Sequence, residues 1–183
     1  MKNISAFVAR GFSLSDDEAW KIVQAHLLDF KASTKWFDFE DAKSSEGRLV
    51  GEKVRERIDA HPLFIGLFTR RTLLAGKSTG DSFIDKLKLI PRFLKDDGRF
   101  APSSWVFQES GYAIAKQKKL IFIIEAGIDD FPKLQDNLEH IEFNRRTLKG
   151  DLNKLTSMIL AIQSEDLPRE RPATTETLSV EPA

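Results

Sequence analysis

Two runs, Leu63–Phe68 (LFIGLF) and residues 120–124 (LIFII), contain no polar side chain at all. Runs this short and this apolar read as strands buried on both faces, since a strand with one face in water would alternate polar and apolar residues. A sheet covered on both sides requires helices above and below it, and the sequence between the runs supplies amphipathic stretches of the right length. The expected order opens with a strand at Ile4–Ala9, followed by Arg10, Gly11, Phe12 and Ser13. Ser15-Asp16-Asp17-Glu18 has the form of a capping box, after which Trp20, Val23, Leu27 and Phe30 recur at helical spacing. Residues 35–39 (KWFDF) read as a second strand, and a polar loop at 40–47 leads to a helix striped by Val50, Val54 and Ile58 that Pro62 ends. Next come the strand Leu63–Phe68, a helix carrying Glu109, and the strand at 120–124. A short helix after Pro132, a weaker strand near His140–Phe143 and a closing helix through Leu152, Leu155, Ile159 and Ile162 complete the pattern. The alternation predicts an α/β fold of three layers, α/β/α, around a mainly parallel five-stranded sheet.

The chain has 183 residues, enough for one domain with a single substantial core. Residues 1–163 are expected to form it. Residues 72–103 are a long excursion before the Glu109 helix, with an amphipathic piece (Phe83, Leu87, Ile90, Leu94) suited to a lid, an assembly surface or a packed decoration. Residues 164–183 lose periodicity and gain Pro, Thr and Glu, the composition of a disordered tail or linker. Lys plus Arg and Asp plus Glu both total 28, so no overall basic field draws nucleic acid or an anionic membrane. The absence of cysteine removes thiol nucleophiles and Cys-based zinc sites, and the three scattered histidines (His26, His61, His140) give no metal-ligand spacing. With no signal peptide and no stretch long enough to span a membrane, the expectation is a cytoplasmic protein.

In an open parallel sheet, ligands bind beyond the carboxyl ends of the strands, where strand order reverses. Arg10, Gly11 and Phe12 follow the first strand, and Thr69, Arg70 and Arg71 follow the third. Arginines there suit an anionic small molecule, and Gly11 permits close backbone approach. Trp105, Glu109 and Tyr112, spaced i, i+4 and i+7, share one helix face. An acid between two aromatics on a core helix is unusual, because packing alone prefers an aliphatic side chain there. Neither G-x-G-x-x-G nor a P-loop occurs.

Taken in order, these segments resemble a TIR domain, specifically the NAD-cleaving kind of bacterial defence and axon degeneration. Phe7-Val8 with Phe12-Ser13 and Asp16-Asp17 is similar to the family's first box, Trp36-Phe37-Asp38 to its second strand, and residues 63–69 to its third strand with a polar end. Ser104-Trp105-Val106 with Glu109 resembles the S/C-x-W-x-x-x-E box that carries the catalytic glutamate. The family's Arg-Asp and Pro-Gly pairs are missing from the second box, where residues 40–47 stand instead. The resemblance implies a flavodoxin-like fold and a catalytic role for Glu109. It further implies substrate contacts from Arg10, Gly11, Phe12, Asp38, Thr69, Arg70, Trp105 and Tyr112. The implied reaction breaks the nicotinamide–ribose bond of NAD+, giving nicotinamide and ADP-ribose or a cyclic product, in antiphage defence. NAD+ is then substrate and not cofactor, no metal is needed, and the implied partners are further copies of the chain through TIR–TIR contacts and an effector or sensor protein. Glu109-Ser110-Gly111-Tyr112-Ala113 is also similar to nucleoside 2-deoxyribosyltransferases, and a non-catalytic TIR module is a third reading.

Chemically, departure of a base leaves an oxocarbenium-like sugar that a nearby carboxylate stabilises or traps. Nicotinamide in NAD+ leaves as a neutral molecule without needing a proton, so one acid suffices.

Overall fold

A computed structural model describes residues 3–41, 50–70, 102–128, 132 and 139–165. The expected excursion, except its last two residues, Arg71, the short helix after Pro132 and the expected tail beyond Glu165 lie outside these residues. Five strands, β1 (Ile4–Ala9), β2 (Phe37–Asp41), β3 (Leu63–Phe68), β4 (Lys119–Glu125) and β5 (His140–Phe143), form one sheet. Their order is β2-β1-β3-β4-β5 and every pairing is parallel. This is the flavodoxin-like order, with its reversal between β1 and β3.

Alternation along the strands divides the interior into two cores. Ala6, Val8, Leu63, Ile65, Leu67, Ile121 and Ile123 face one side, against α1 (Leu14–Ser33) and α4 (Leu148–Glu165). Phe7, Phe64, Phe68, Phe122 and Ile124 face the other, against α2 (Val50–Ala60) and α3 (Ser104–Ala115). That second face is built from phenylalanine rings, and Gly66 is the residue that lets them close. A Cβ at Gly66 would stand 2.9 Å from the Phe68 ring and 3.2 Å from the Phe122 ring.

Local signals account for the element ends. The residue that caps α1 is Ser13, two positions before the predicted capping box. Its hydroxyl accepts the Asp16 N–H at 3.3 Å, and the Asp16 carboxylate accepts the Ser13 N–H at 2.7 Å. The serine-to-acid spacing of three recurs in Ser13-x-x-Asp16 and Ser15-x-x-Glu18, and burial chose between them, since Asp16 is fully buried while Glu18 is exposed. β2 begins two residues later than expected, because Phe37 is the position that packs with Phe30 beneath the sheet edge (ring centroids 5.1 Å apart). α3 ends in a Schellman turn: Lys118 N–H donates to the Ala113 carbonyl (3.0 Å) and Gln117 N–H to the Ile114 carbonyl (2.9 Å). Gln117 takes the left-handed conformation there (φ 53°) that glycine ordinarily fills. α4 continues to Glu165, so the expected boundary after residue 163 falls inside a helix.

Candidate active site between two helices

In a parallel βαβ unit each helix returns antiparallel to the strands, so the amino ends of α2 and α3 lie at the carboxyl edge of the sheet. A cavity of about 260 Å³ opens between those two helices. Gly51, Val54, Arg55 and Ile58 line it from α2, where spacings of three and four residues put them on one side of the helix. Trp105, Gln108, Glu109 and Tyr112 line it from α3. The shared face read from the sequence is therefore the wall of a cavity.

Glu109 is the exceptional residue of that wall. It is 4% exposed, and neither carboxyl oxygen has a hydrogen-bond partner among the described residues. Its pKa is pushed up to about 8 because burial disfavours the charged form. The Trp105 indole on the preceding turn opposes that rise from outside ordinary hydrogen-bond geometry. Tyr112 is anchored at its far end, the hydroxyl donating to Asp59 at 2.8 Å, which leaves its ring for the cavity. Buried carboxyl groups without partners are rare in folded proteins, and this one shares its cavity wall with Trp105 and Tyr112.

The other expected contacts gather elsewhere. Arg10 is spent on the protein itself: it pairs with Asp17 (2.9 Å) and Asp41 (3.6 Å), and its guanidinium lies 4.9 Å from the Phe12 ring centroid and 5.2 Å from that of Trp20. Gly11 is buried, its carbonyl accepting from Arg10, and Phe12 is exposed beside them. Thr69 is buried and donates to Asp16. Arg70 is tied to Glu125 twice, by its backbone N–H (2.8 Å) and by its guanidinium (3.2 Å). These residues surround the amino end of α1 and do not line the Glu109 cavity. Asp38 is at the opposite edge of the sheet: it pairs in register with Ser5 in the first half of β1 and forms an ion pair with Lys31 in the last turn of α1. The sequence spacing placed all these groups near strand ends, but their own countercharges, Asp17, Asp41 and Glu125, hold the two described arginines that were expected to meet an anion.

Two features escaped the sequence reading. Arg55 and Gly51 extend the Val54–Ile58 stripe around α2 by one position, an arginine at the margin of an apolar stripe being the signal available. Glu125 closes the fourth apolar run at the carboxyl end of β4 and is 1% exposed. Burial pushes its pKa up, yet the hydrogen bonds from Arg145 and from the Arg70 backbone outweigh this and hold it below the usual carboxylate range. Arg145 also reaches the Ser15 carbonyl and the Glu18 carboxylate, so this cluster ties β4 to the chain segments following β1, β3 and β5. No helix among the described residues is long and apolar enough to cross a membrane, and no cluster of potential metal ligands occurs among them.

The fold and this cavity define the class: a three-layer α/β protein with an all-parallel five-stranded sheet. The same fold is found in a CMP N-glycosidase of Clostridium botulinum, BcmB, with a TM-score of 0.51 and 15% sequence identity, covering 84% of this chain and 98% of that one. No protein-family model matches the chain, and no curated protein does.

Proposed function

We propose that the protein is a nucleotide N-glycosidase in which Glu109 faces the sugar as the bond to its base breaks. The observation that carries this reading is a carboxyl group buried in a cavity wall, with both oxygens unpartnered and aromatic side chains on either side. The activity named for the Clostridium botulinum neighbour supports the same reaction class. The TIR resemblance makes NAD+ the first substrate: water and NAD+ give nicotinamide, ADP-ribose and a proton. A cationic nicotinamide riboside moiety entering beside Glu109 favours its ionised form, and the carboxylate then stabilises the sugar cation as neutral nicotinamide departs.

A pyrimidine nucleotide is the second reading, and the proton that Glu109 carries at neutral pH favours it. Cytosine leaves readily only when protonated. A neutral Glu109 donates that proton, and water then converts the sugar cation to ribose 5-phosphate.

The test is to incubate the protein with NAD+ and with CMP, following nicotinamide and cytosine, beside Glu109→Gln. Either base should be released by the wild type, and the variant should lose on the order of 10³-fold in rate. The pH profile of kcat/KM separates the substrates, since it reports the free enzyme's ionisation. NAD+ cleavage through the carboxylate should rise with pH up to about 8, and CMP cleavage through the acid should fall above about 8. Release of neither base, or equal release by Glu109→Gln, defeats the proposal.

A further inference from the structure

We infer that the cavity contains a second subsite, at Arg55, that takes a phosphate group and so selects nucleotides over nucleosides. The inference rests on the N-glycosidase reading of Glu109 and adds to it the anionic end of the substrate.

Arg55 stands one turn beyond Gly51 on the lining face of α2. Its Nε–H donates to the Gly51 carbonyl at 3.1 Å, folding the guanidinium back toward the amino end of the helix. Among the described residues, a Cβ at Gly51 would have Arg55 Nη2 at 3.8 Å, an ordinary contact. Arg10, Arg57, Arg70 and Arg145 are all engaged with carboxylates, whereas Arg55 has no carboxylate partner among the described residues. Its Nη groups thus remain available in a planar array that matches phosphate oxygens. Glu52, in the first turn of α2, is exposed and does not line the cavity.

The second observation is Glu109 itself, buried, unpartnered and in the same cavity. Arg55 belongs to α2 and Glu109 to α3, so the guanidinium and the carboxyl come to the cavity from its two different walls. A 5′-nucleotide has this polarity. Its phosphate hangs from C5′ and its glycosidic bond from C1′, across the sugar ring. A cavity of about 260 Å³ lies just below the usual range of about 300–1,000 Å³ for small-molecule sites. It accommodates a sugar and base with the phosphate at its rim.

The experiment uses Glu109→Gln protein, which should hold ligand uncut, with Arg55 intact, as Arg55→Ala and as Arg55→Lys. Calorimetric titration compares CMP with cytidine and NAD+ with nicotinamide riboside, so that a monophosphate and a pyrophosphate are distinguished. In at least one pair the phosphorylated ligand should bind about 10- to 100-fold more tightly. Arg55→Ala should abolish that ratio without changing the Kd of the unphosphorylated partner, and Arg55→Lys should retain part of it. A ratio near one in both pairs, a ratio that survives Arg55→Ala, or no binding of any of the four overturns the subsite. Cleavage by the wild type is scored separately. A phosphate preference through Arg55 without cleavage keeps the subsite and removes the glycosidase, and cleavage without that preference does the reverse.

Discussion

Two buried carboxyl groups of nearly equal burial differ entirely in what surrounds them. Glu125, 1% exposed, accepts from Arg145 and from the Arg70 backbone and stays ionised. Glu109, 4% exposed, accepts from nothing among the described residues and is largely protonated at neutral pH. The consequences for stability have opposite signs. The contribution of Glu125, whose pKa is depressed, is present above the unfolded carboxyl pKa and is lost as pH falls. Glu109, whose folded pKa is raised to about 8 from an unfolded value of 4.5, costs the fold nothing below 4.5 and progressively more as pH rises toward 8. The full difference is on the order of 5 kcal/mol. Glu109→Gln, which cannot ionise, should therefore melt close to the wild type at pH 5 and several degrees above it at pH 8, by scanning calorimetry. A gap independent of pH would mean that the carboxyl is solvated. A residue that destabilises its own fold at working pH belongs with function rather than with packing.

At the scale of elements, the helix that carries Glu109 is held in place by two different compromises. Its carboxyl end turns through Gln117 in a left-handed conformation, which costs a side-chain-bearing residue about 1 kcal/mol relative to glycine. Gln117 is exposed, so Gln117→Gly should raise stability by about 1 kcal/mol in urea unfolding without altering activity. Beneath the same helix, β3 and β4 present Phe64, Phe68 and Phe122 around Gly66. Gly66→Val would drive two methyl groups and a Cβ into rings that already stand closer than ordinary contact. We expect a loss of about 1–3 kcal/mol, visible as a lowered urea midpoint. The Glu109 helix packs on these rings through Val106 and Ala113, so the substitution should also reduce catalytic rate more than it changes KM. An unchanged midpoint would show that the rings rearrange freely.

For the whole molecule, one sheet serves two cores. The α1/α4 side contains Trp20 and Trp36, whereas Trp105 belongs to α3 on the other side. Because β1, β3 and β4 contribute alternate residues to both sides, neither core can be lost while the other keeps its floor. Unfolding should be a single transition, as is usual for domains of this size. Denaturation followed by Trp105 fluorescence in a Trp20→Phe/Trp36→Phe protein should coincide with far-UV circular dichroism. Leu152→Ala and Phe122→Ala, on opposite sides, should each move both signals together, by about 2–5 kcal/mol. Separate midpoints for the two probes would mean that the layers unfold independently.

The strands and the stripe of α3 were legible in the linear chain because burial imposes a repeat on it. Ile4–Ala9, Leu63–Phe68 and His140–Phe143 fall where the apolar pattern places them, and Trp105, Glu109 and Tyr112 share a face because three and four residues make a helical turn. Boundaries set by a single capping or packing choice, Ser13 over Ser15 and Phe37 over Lys35, were not legible, since both candidates carry acceptable local chemistry. Nor were the electrostatic partnerships. Arg10 and Arg70 looked available to a ligand, and only the tertiary arrangement brought Asp41 and Glu125, 31 and 55 residues away, to neutralise them. It likewise brought Arg55 of one helix and Glu109 of another to the walls of one cavity, each without a countercharge among the described residues. Periodicity is a property of neighbours along the backbone, whereas charge compensation acts through space, and folding alone decides which charges meet.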